Sequence, residues 1–226
     1  MMRNTASLLP WCGDVLAGLA VADLRLDSRR VCANDLFFAL SSDSDIDAHI
    51  AQAIANGAAA IVVDSARAMA VTVNKPVIAV QRLPQQLGAI ADAYYGQPSQ
   101  ACKVIGITGT NGKTSCSHWL AQLWQQVAGN AGVIGTLGCG PIAQGDRHDS
   151  GLTTPDVLTN HRVLAEMQQQ GVQMVAMEVS SHALDQGRVD AVRFDTAIFT
   201  NLSRDHLDYH GDMQSYAAAK QKLFER

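Results

Sequence analysis

Gly106-Ile107-Thr108-Gly109-Thr110-Asn111-Gly112-Lys113-Thr114-Ser115 is the stretch whose reading decides the fold. An apolar run, Val104 to Ile107, leads into it, and a helical pattern from Ser117 to Trp124 leads out. A strand, a glycine-rich turn and a helix start in that order make an anion cradle. Glycines let backbone N–H groups turn inward, and the helix dipole adds positive potential at the first turn. Lys113 would then reach the β- and γ-phosphates of a nucleotide, and the Thr114 hydroxyl would hold Mg²⁺. The spacing departs from the generic phosphate loop, which needs its first glycine at 107; that position is Ile, and Gly106 comes one residue early. The competing reading is a strand–turn–helix joint that happens to carry a lysine.

Downstream, Gly132-Val133-Ile134-Gly135-Thr136-Leu137 reads as a strand whose glycines predict something packed close to the backbone. Pro141 to Gly151 reads as a polar loop. Thr153-Thr154-Pro155-Asp156 opens a helix to Gln170 that Gly171 closes, with Thr154 as N-cap and Pro155 at its first position. A hydroxyl pair there serves an anionic ligand or a cap equally well. Val172 to Val179 is a strand with Glu178 near its carboxyl end, where a Mg²⁺-linked acid belongs beside a phosphate loop. A carboxylate partnered within the sheet is the alternative. Ser180-Ser181-His182 begins a turn, and the absence of a G-x-S-x-G elbow argues against a Ser–His hydrolase. Thr196 to Thr200 is the next strand. It delivers Asp205, His206, Asp208 and His210, a set that could bind metal; mixed N/O ligation admits Zn²⁺, while Mg²⁺ on nucleotide phosphates is more economical. Met213 to Phe224 reads as a helix on which Lys220 and Lys222, taken alone, are solvated side chains.

Upstream, Leu36–Leu40, Ala58–Val63 and Val77–Val80 have the length and composition of buried strands. A helix runs from Ala48 to Asn56 and stops at Gly57; another opens at Pro84, runs through Tyr94 and is ended by Gly96 and Pro98. Gly96 to Gln100 reads as a domain linker. In Leu26-Asp27-Ser28-Arg29-Arg30, Ser28 and the arginines could face a phosphate, though a solvated turn is the plainer reading. Ser41 to Asp45 reads as a surface loop.

The 226 residues suit one large domain or two small ones, and a hydrophobic share of 47% can supply a core. A net charge of −4 without charge runs gives nucleic acid or a membrane surface no electrostatic support as partner. The five cysteines, at 12, 32, 102, 116 and 139, show no C-x-x-C spacing, which points to reduced thiols in the cytoplasm. The first residues lack a signal-peptide apolar core, and no stretch approaches the roughly 18 apolar residues of a membrane span.

Gly109-Thr110-Asn111-Gly112-Lys113-Thr114, Glu178-Val179-Ser180-Ser181-His182 and Thr200-Asn201-Leu202-Ser203-Arg204-Asp205-His206-Leu207-Asp208-Tyr209-His210-Gly211 together resemble the Mur ligases. The resemblance extends over the whole chain, including Leu26-Asp27-Ser28-Arg29 and Asp35-Leu36-Phe37, and the family's loop form accounts for the shifted glycine. It implies an α/β fold: a small α/β domain binding UDP-MurNAc at 1–98, then the first part of a doubly wound, P-loop ATPase-like parallel-sheet domain at 99–226, with the family's carboxy-terminal domain lying beyond. The implied activity is ATP-dependent amide ligation in peptidoglycan precursor synthesis. A diamino acid, meso-diaminopimelate ahead of L-lysine, is added to UDP-MurNAc-L-Ala-D-Glu through an acyl phosphate, by a monomer. The piece alone is expected to be inactive.

By the same resemblance, Gly109 to Ser115 hold ATP, with Lys113 and Thr114 on its phosphates and Mg²⁺. Glu178 and His206 bind Mg²⁺, joined by Lys220 if it is carbamylated. Leu26 and Ser28 meet the UDP end; Thr153, Thr154, Ser180, Gln186 and Arg188 meet the sugar, pyrophosphate and dipeptide. Two departures stand out: Leu152 where some members have Asn, and a 41–49 loop that lacks the usual glycines and is a residue short. A non-catalytic nucleotide-binding module, a sibling Mur ligase and folylpolyglutamate synthetase are the alternatives, the last opposed by the Leu26–Arg29 segment.

Overall fold

Apolar runs punctuated by Gly, Pro and Asp set the element order. The computed structural model describes residues 5–16, 18–40, 45–143 and 151–225, so all but Asp45 of the loop expected at Ser41–Asp45, and most of that at Pro141–Gly151, lie outside the described residues. The chain divides into two compact units, Met1–Tyr95 and Gly96–Arg226.

In the first unit β1 (Leu24–Arg25), β2 (Leu36–Ala39), β3 (Ala60–Asp64) and β4 (Val77–Val80) form a parallel sheet in chain order. β2 and most of β3 are buried on both faces, as parallel strands covered by helices must be. Helix α1 (Ile46–Ala55) sets Ile46, Ile50 and Ala53 against Phe37, Ala39, Ile61 and Val63. Helix α2 (Leu83–Tyr94) begins at the predicted Pro84 turn, where the Asp64 carboxylate at the end of β3 accepts the Leu83 N–H at 2.8 Å.

In the second unit β5 (Lys103–Thr108), β6 (Ala131–Gly135), β7 (Gly138–Pro141), β8 (Met174–Glu178) and β9 (Thr196–Phe199) lie in the order β7-β6-β8-β5-β9. All but β7 run parallel. Helix α3 (Lys113–Val127) covers one face through Ala121 and Leu120, against Ile107, Val133 and Ala176. Helix α4 (Val157–Gln169) covers the other through Val163, Leu164 and Met167, in a core with Val104, Ile134 and Val175. Helices α5 (Ser181–Asp185) and α6 (Met213–Gln221) complete the unit. Among the described residues no helix is long and apolar enough to cross a membrane.

The α/β class with parallel sheets is as the sequence predicts. Four local expectations are corrected. Pro141, expected to open a loop, ends an antiparallel edge strand, Gly138–Pro141; a Gly-Cys-Gly-Pro strand carries no apolar period to betray it. Thr154 is not the N-cap of α4: the helix starts at Val157, and the Asp156 carboxylate accepts the Thr159 N–H at 3.0 Å. Ser180 caps a short helix rather than entering a loose turn. The stretch Gly96–Gln100, read as a linker of turn formers, is partly helical: Pro98–Ala101 form one helical turn in which buried Ser99 accepts the Arg193 N–H at 3.0 Å.

Candidate functional site

The parallel strands β5, β6, β8 and β9 deliver their carboxyl ends to one edge of the second sheet. Gly106 stays inside β5, where a Cβ would meet the Phe194 ring at 2.8 Å; its glycine serves packing, which explains the early position. Gly109 (φ 144°) would drive a Cβ into the Thr200 hydroxyl, and Gly112 (φ 87°) takes the left-handed conformation at the start of α3. The loop is laced to the segment after β9. Thr110 N–H donates to Asn201 O at 2.9 Å, Asn111 N–H to Asn201 Oδ1 at 3.1 Å, and the Thr200 hydroxyl to Asn111 O at 2.7 Å. Ser115 is exposed on the first turn of α3.

Two ammonium groups converge on this loop. Lys113 Nζ donates to Gly109 O and Thr110 O, both at 2.9 Å, and Lys220 Nζ donates to the same Gly109 O at 2.9 Å. Lys220 is only 2% exposed, which overturns its reading as a solvated side chain. It lies 4.5 Å from the centroid of the Tyr216 ring, whose hydroxyl is 3.1 Å from Thr110 Oγ1. Burial, reinforced by the Lys113 charge, pushes the Lys220 ammonium down to about 8, and burial also lowers Lys113. Ammonium groups sharing one acceptor oxygen lie within about 6 Å of each other, a repulsion of about 3 kcal/mol at an effective dielectric of about 20. An anion bound there would relieve it.

Glu178, fully buried at the end of β8, faces this cluster from the neighbouring strand. Its carboxylate accepts the Thr114 hydroxyl at 2.8 Å, the Thr136 N–H at 3.0 Å and the Thr136 hydroxyl at 3.2 Å. The close neighbour foretold by the glycines of β6 is this carboxylate, since a Cβ on Gly135 would collide with it. Thr136 itself was not singled out from the sequence; the glycine before it was the available signal. With its hydroxyl proton on Glu178, Thr136 Oγ1 accepts from the Thr153 hydroxyl, 3.1 Å away.

Beside Glu178, the buried Thr154 hydroxyl donates to the Glu178 carbonyl at 2.9 Å and accepts the Ser180 N–H at 3.0 Å. Arg188 Nη1 donates to Thr154 O at 3.1 Å, and its Nε and Nη2 clasp Gln186 Oε1 at 2.9 and 2.6 Å. Gln186 Nε2 reaches the Tyr209 hydroxyl at 3.2 Å, which donates to Asp185. Lys222, unlike Lys220, is only half-buried and pairs with Asp185 at 2.7 Å. The structure therefore joins Thr153, Thr154, Ser180, Gln186 and Arg188 into one network contiguous with Glu178.

His206, held at φ 51°, pairs with Asp205 at 3.6 Å and stands edge-on to His182, with ring centroids 4.8 Å apart. His210 Nε2 lies 3.0 Å from Ser181 Oγ. Burial lowers the His182 imidazole, and the neighbouring His206 and His210 lower it further. Among the described residues no three His, Cys, Asp or Glu side chains gather as a metal cage. The expected four-residue Asp/His set is thus not a self-sufficient Zn²⁺ site. Thr114 and Glu178 form a hard oxygen pair that fits Mg²⁺ if nucleotide phosphates supply further ligands.

In the first unit Ser28 opens a 3₁₀ turn, Ser28–Arg30, capped by Asp27. Ser28 is buried rather than solvated. Its hydroxyl donates to Gln52 Oε1 at 2.6 Å, and His49 Nδ1 lies 3.3 Å away. Leu26 is half-buried on the same turn.

A family model described as the Mur ligase middle domain matches residues 107–226. The chain belongs to the Mur ligase family. Among its Mur ligase relatives, the UDP-N-acetylmuramoyl-L-alanyl-D-glutamate–2,6-diaminopimelate ligase of Xanthomonas campestris pv. campestris is 51% identical over 210 residues, 91% of this chain and 41% of that protein. The ligase of the same name from Xylella fastidiosa is 47% identical over 229 residues, 99% of this chain and 45% of that protein. A solved structure of a ligase so named superposes with a TM-score of 0.72 at 31% identity, covering 91% of this chain and 41% of the other. The chain thus spans less than half the length of the curated Mur ligase relatives it matches.

Proposed function

We propose that this chain is part of an ATP-dependent ligase that adds meso-diaminopimelate to UDP-MurNAc-L-Ala-D-Glu. The observation that carries the reading is the pair of ammonium groups, Lys113 and Lys220, on one carbonyl oxygen beside the Thr114–Glu178 contact. The Lys113 ammonium suits a triphosphate, its crowding of Lys220 favours the conversion assigned to that lysine below, and the names of the relatives supply the acceptor and the amino acid.

In this reading Gly109 to Ser115 wrap the ATP phosphates. The D-Glu side-chain carboxylate attacks the γ-phosphorus, the P–O bond to ADP breaks, and an acyl phosphate forms. The amine of the diamino acid then attacks the acyl carbon; a C–N bond forms, inorganic phosphate leaves, and the amine loses a proton. Lys113 offsets charge on the phosphates, and Arg188, with Thr153, Thr154, Ser180 and Gln186, orients the anionic acceptor. Mg²⁺, held by Thr114, Glu178 and His206, would neutralise phosphate charge. Lys220 is assigned as the carbamylated lysine. An amine lowered to about 8 by burial offers a neutral fraction to CO₂, and the product exchanges a repelling cation for an anion. In the first unit, 1–98 by this reading, the UDP end meets Leu26 and the Ser28 turn; recognition there falls on Leu26 and the turn's backbone because Gln52 engages the Ser28 hydroxyl. ATP and Mg²⁺ are the co-substrate and cofactor, the enzyme is a cytoplasmic monomer, and the isolated residues are not competent.

The test uses the whole gene product with ATP, Mg²⁺ and UDP-MurNAc-L-Ala-D-Glu. Phosphate release dependent on meso-diaminopimelate, and not on L-lysine, is expected, with Lys113→Met lowering kcat/KM by about 10³-fold or more. A ¹³C-carbamate resonance from labelled bicarbonate should vanish in Lys220→Met. Absence of amino-acid-dependent phosphate release from the unaltered protein would sink the reading.

A further inference from the structure

Helix α4 carries two adjacent polar side chains, Asn160 and His161, that are fully buried. Neither belongs to the phosphate edge. Asn160 Nδ2 donates to Pro155 O at 3.0 Å and to Arg188 O at 2.8 Å. His161 Nε2 donates to Asp190 O at 2.9 Å. Asn160 Oδ1 is buried with no hydrogen-bond partner among the described residues.

The orphaned oxygen is informative. A buried acceptor without a donor destabilises the fold, so packing alone does not account for a carboxamide at this position. Nor can the amide be reversed, because its oxygen would then face two carbonyl oxygens. What the carboxamide does achieve is specific. Its two N–H groups join two backbone segments distant in sequence. One follows directly on Thr153-Thr154; the other is Arg188, whose guanidinium donates to Thr154 O. The Arg188 segment follows Gly187, held at φ 67° where a Cβ would press on Asp190 Oδ2 at 2.6 Å. The Arg188 N–H also donates to Ala183 O at 2.8 Å, and Asn160 adds a tie from α4, outside the loop.

We infer that Asn160 is a positioning residue for the acceptor substrate. It staples the Arg188 loop to the Thr153–Thr154 segment, so that guanidinium and hydroxyls meet the anionic sugar-peptide at one fixed spacing. His161 holds the far end of the same loop. The inference rests on the reading that these residues bind UDP-MurNAc-L-Ala-D-Glu. Misplacing an orienting group by about 1 Å is enough to weaken a bound geometry by orders of magnitude.

The experiment compares the whole gene product with Asn160→Leu, which keeps the side-chain bulk and removes both donors together with the orphaned oxygen. The KM for UDP-MurNAc-L-Ala-D-Glu should rise about tenfold, while the KM for ATP and kcat stay within about twofold. A merely structural defect would lower the active fraction and leave both KM values alone. In a cycle with Arg188→Ala, the double variant should bind the acceptor no worse than Arg188→Ala alone, because Asn160 acts through that side chain. An unchanged acceptor KM, equal rises in both KM values, or additive effects in the cycle would overturn the inference. Should Asn160→Leu not fold, Asn160→Ser retains one donor and is expected to show a smaller selective rise; no rise there also overturns it. An unaltered protein without ligase activity removes the parent reading and this inference together. Normal ligation with a wild-type-like Asn160→Leu removes the inference alone.

Discussion

Arg25 in the first unit and the Lys113–Lys220 pair in the second are neutralised in different ways. In the first, Arg25 pairs with Asp23 and Asp35, both at 2.9 Å, and Arg29 clasps Asp27 at 2.8 Å. Arg25 is matched by a carboxylate ten positions on, just before β2, and Arg29 by one in its own turn. In the second, Lys113 and Lys220 donate to carbonyl oxygens, two of their bonds to the same one, and neither makes an ion pair among the described residues. A cation matched by carboxylate belongs to the fold's own stability. Cations crowded together with carboxylates, Glu178 and Asp205, only beyond ion-pair range are incompletely neutralised and favour a bound anion. The contrast is a sharper sign of ligand binding than the glycine-rich motif alone.

The comparison breaks most readily at Arg25. Its Asp35 partner has a side chain only 2% exposed and also accepts the Cys32 N–H at 2.9 Å. Arg25→Met leaves that carboxylate with one donor in place of two, and removing one member of a buried pair strands the other. A loss of about 3 kcal/mol in unfolding free energy is expected in urea denaturation. A loss below about 1 kcal/mol would mean that water reaches Asp35 and that the first unit is not neutralised internally in the sense argued.

A substitution of the same kind at Lys220 should act with the opposite sign. Lys220→Met exchanges a buried ammonium for an apolar side chain of similar length, and gives up one hydrogen bond and the contact with the Tyr216 ring. It also removes the repulsion with Lys113. The net expectation is a gain of about 0–1 kcal/mol in the same denaturation experiment without nucleotide, alongside loss of ligation by the whole protein. Clear destabilisation would place Lys220 among the structural cations, with Arg25.

What the sequence disclosed and what it hid follow the reach of each cause. Lys113, Thr114 and the strand before them are fixed by neighbours within a dozen residues, so spacing and periodicity sufficed. Glu178 at the end of β8 was legible because an apolar run leads straight into it. Lys220 was not, because its burial depends on α6 folding back onto Gly109, 111 positions away. Thr154 and Asp156 are both good caps by composition. Which one caps α4 was decided by the Glu178 carbonyl, which takes the Thr154 hydroxyl and leaves Asp156 for the helix. Gly106 misled for a similar reason: its need for a missing side chain comes from Phe194. In the Leu26–Arg30 turn, buried Ser28 answers to Gln52 on α1, whereas the neighbouring Arg29 is solvated as composition suggests.

Arg29 supplies the smallest effect and a control on the other two. Its guanidinium holds the Asp27 carboxyl below the ordinary carboxylate range by hydrogen bonding, yet the side chain is 78% exposed. Water competes for both partners, and Asp27 retains the Arg29 backbone N–H at 3.0 Å whatever side chain stands at 29. Arg29→Met should therefore leave the urea unfolding midpoint where it is, at low and at raised salt. Arg25 and Arg29 differ in burial while sharing ion-pair chemistry. A large effect at Arg29 would show that charge pairing alone sets the scale, and the contrast drawn between matched and crowded cations would then rest on the wrong variable.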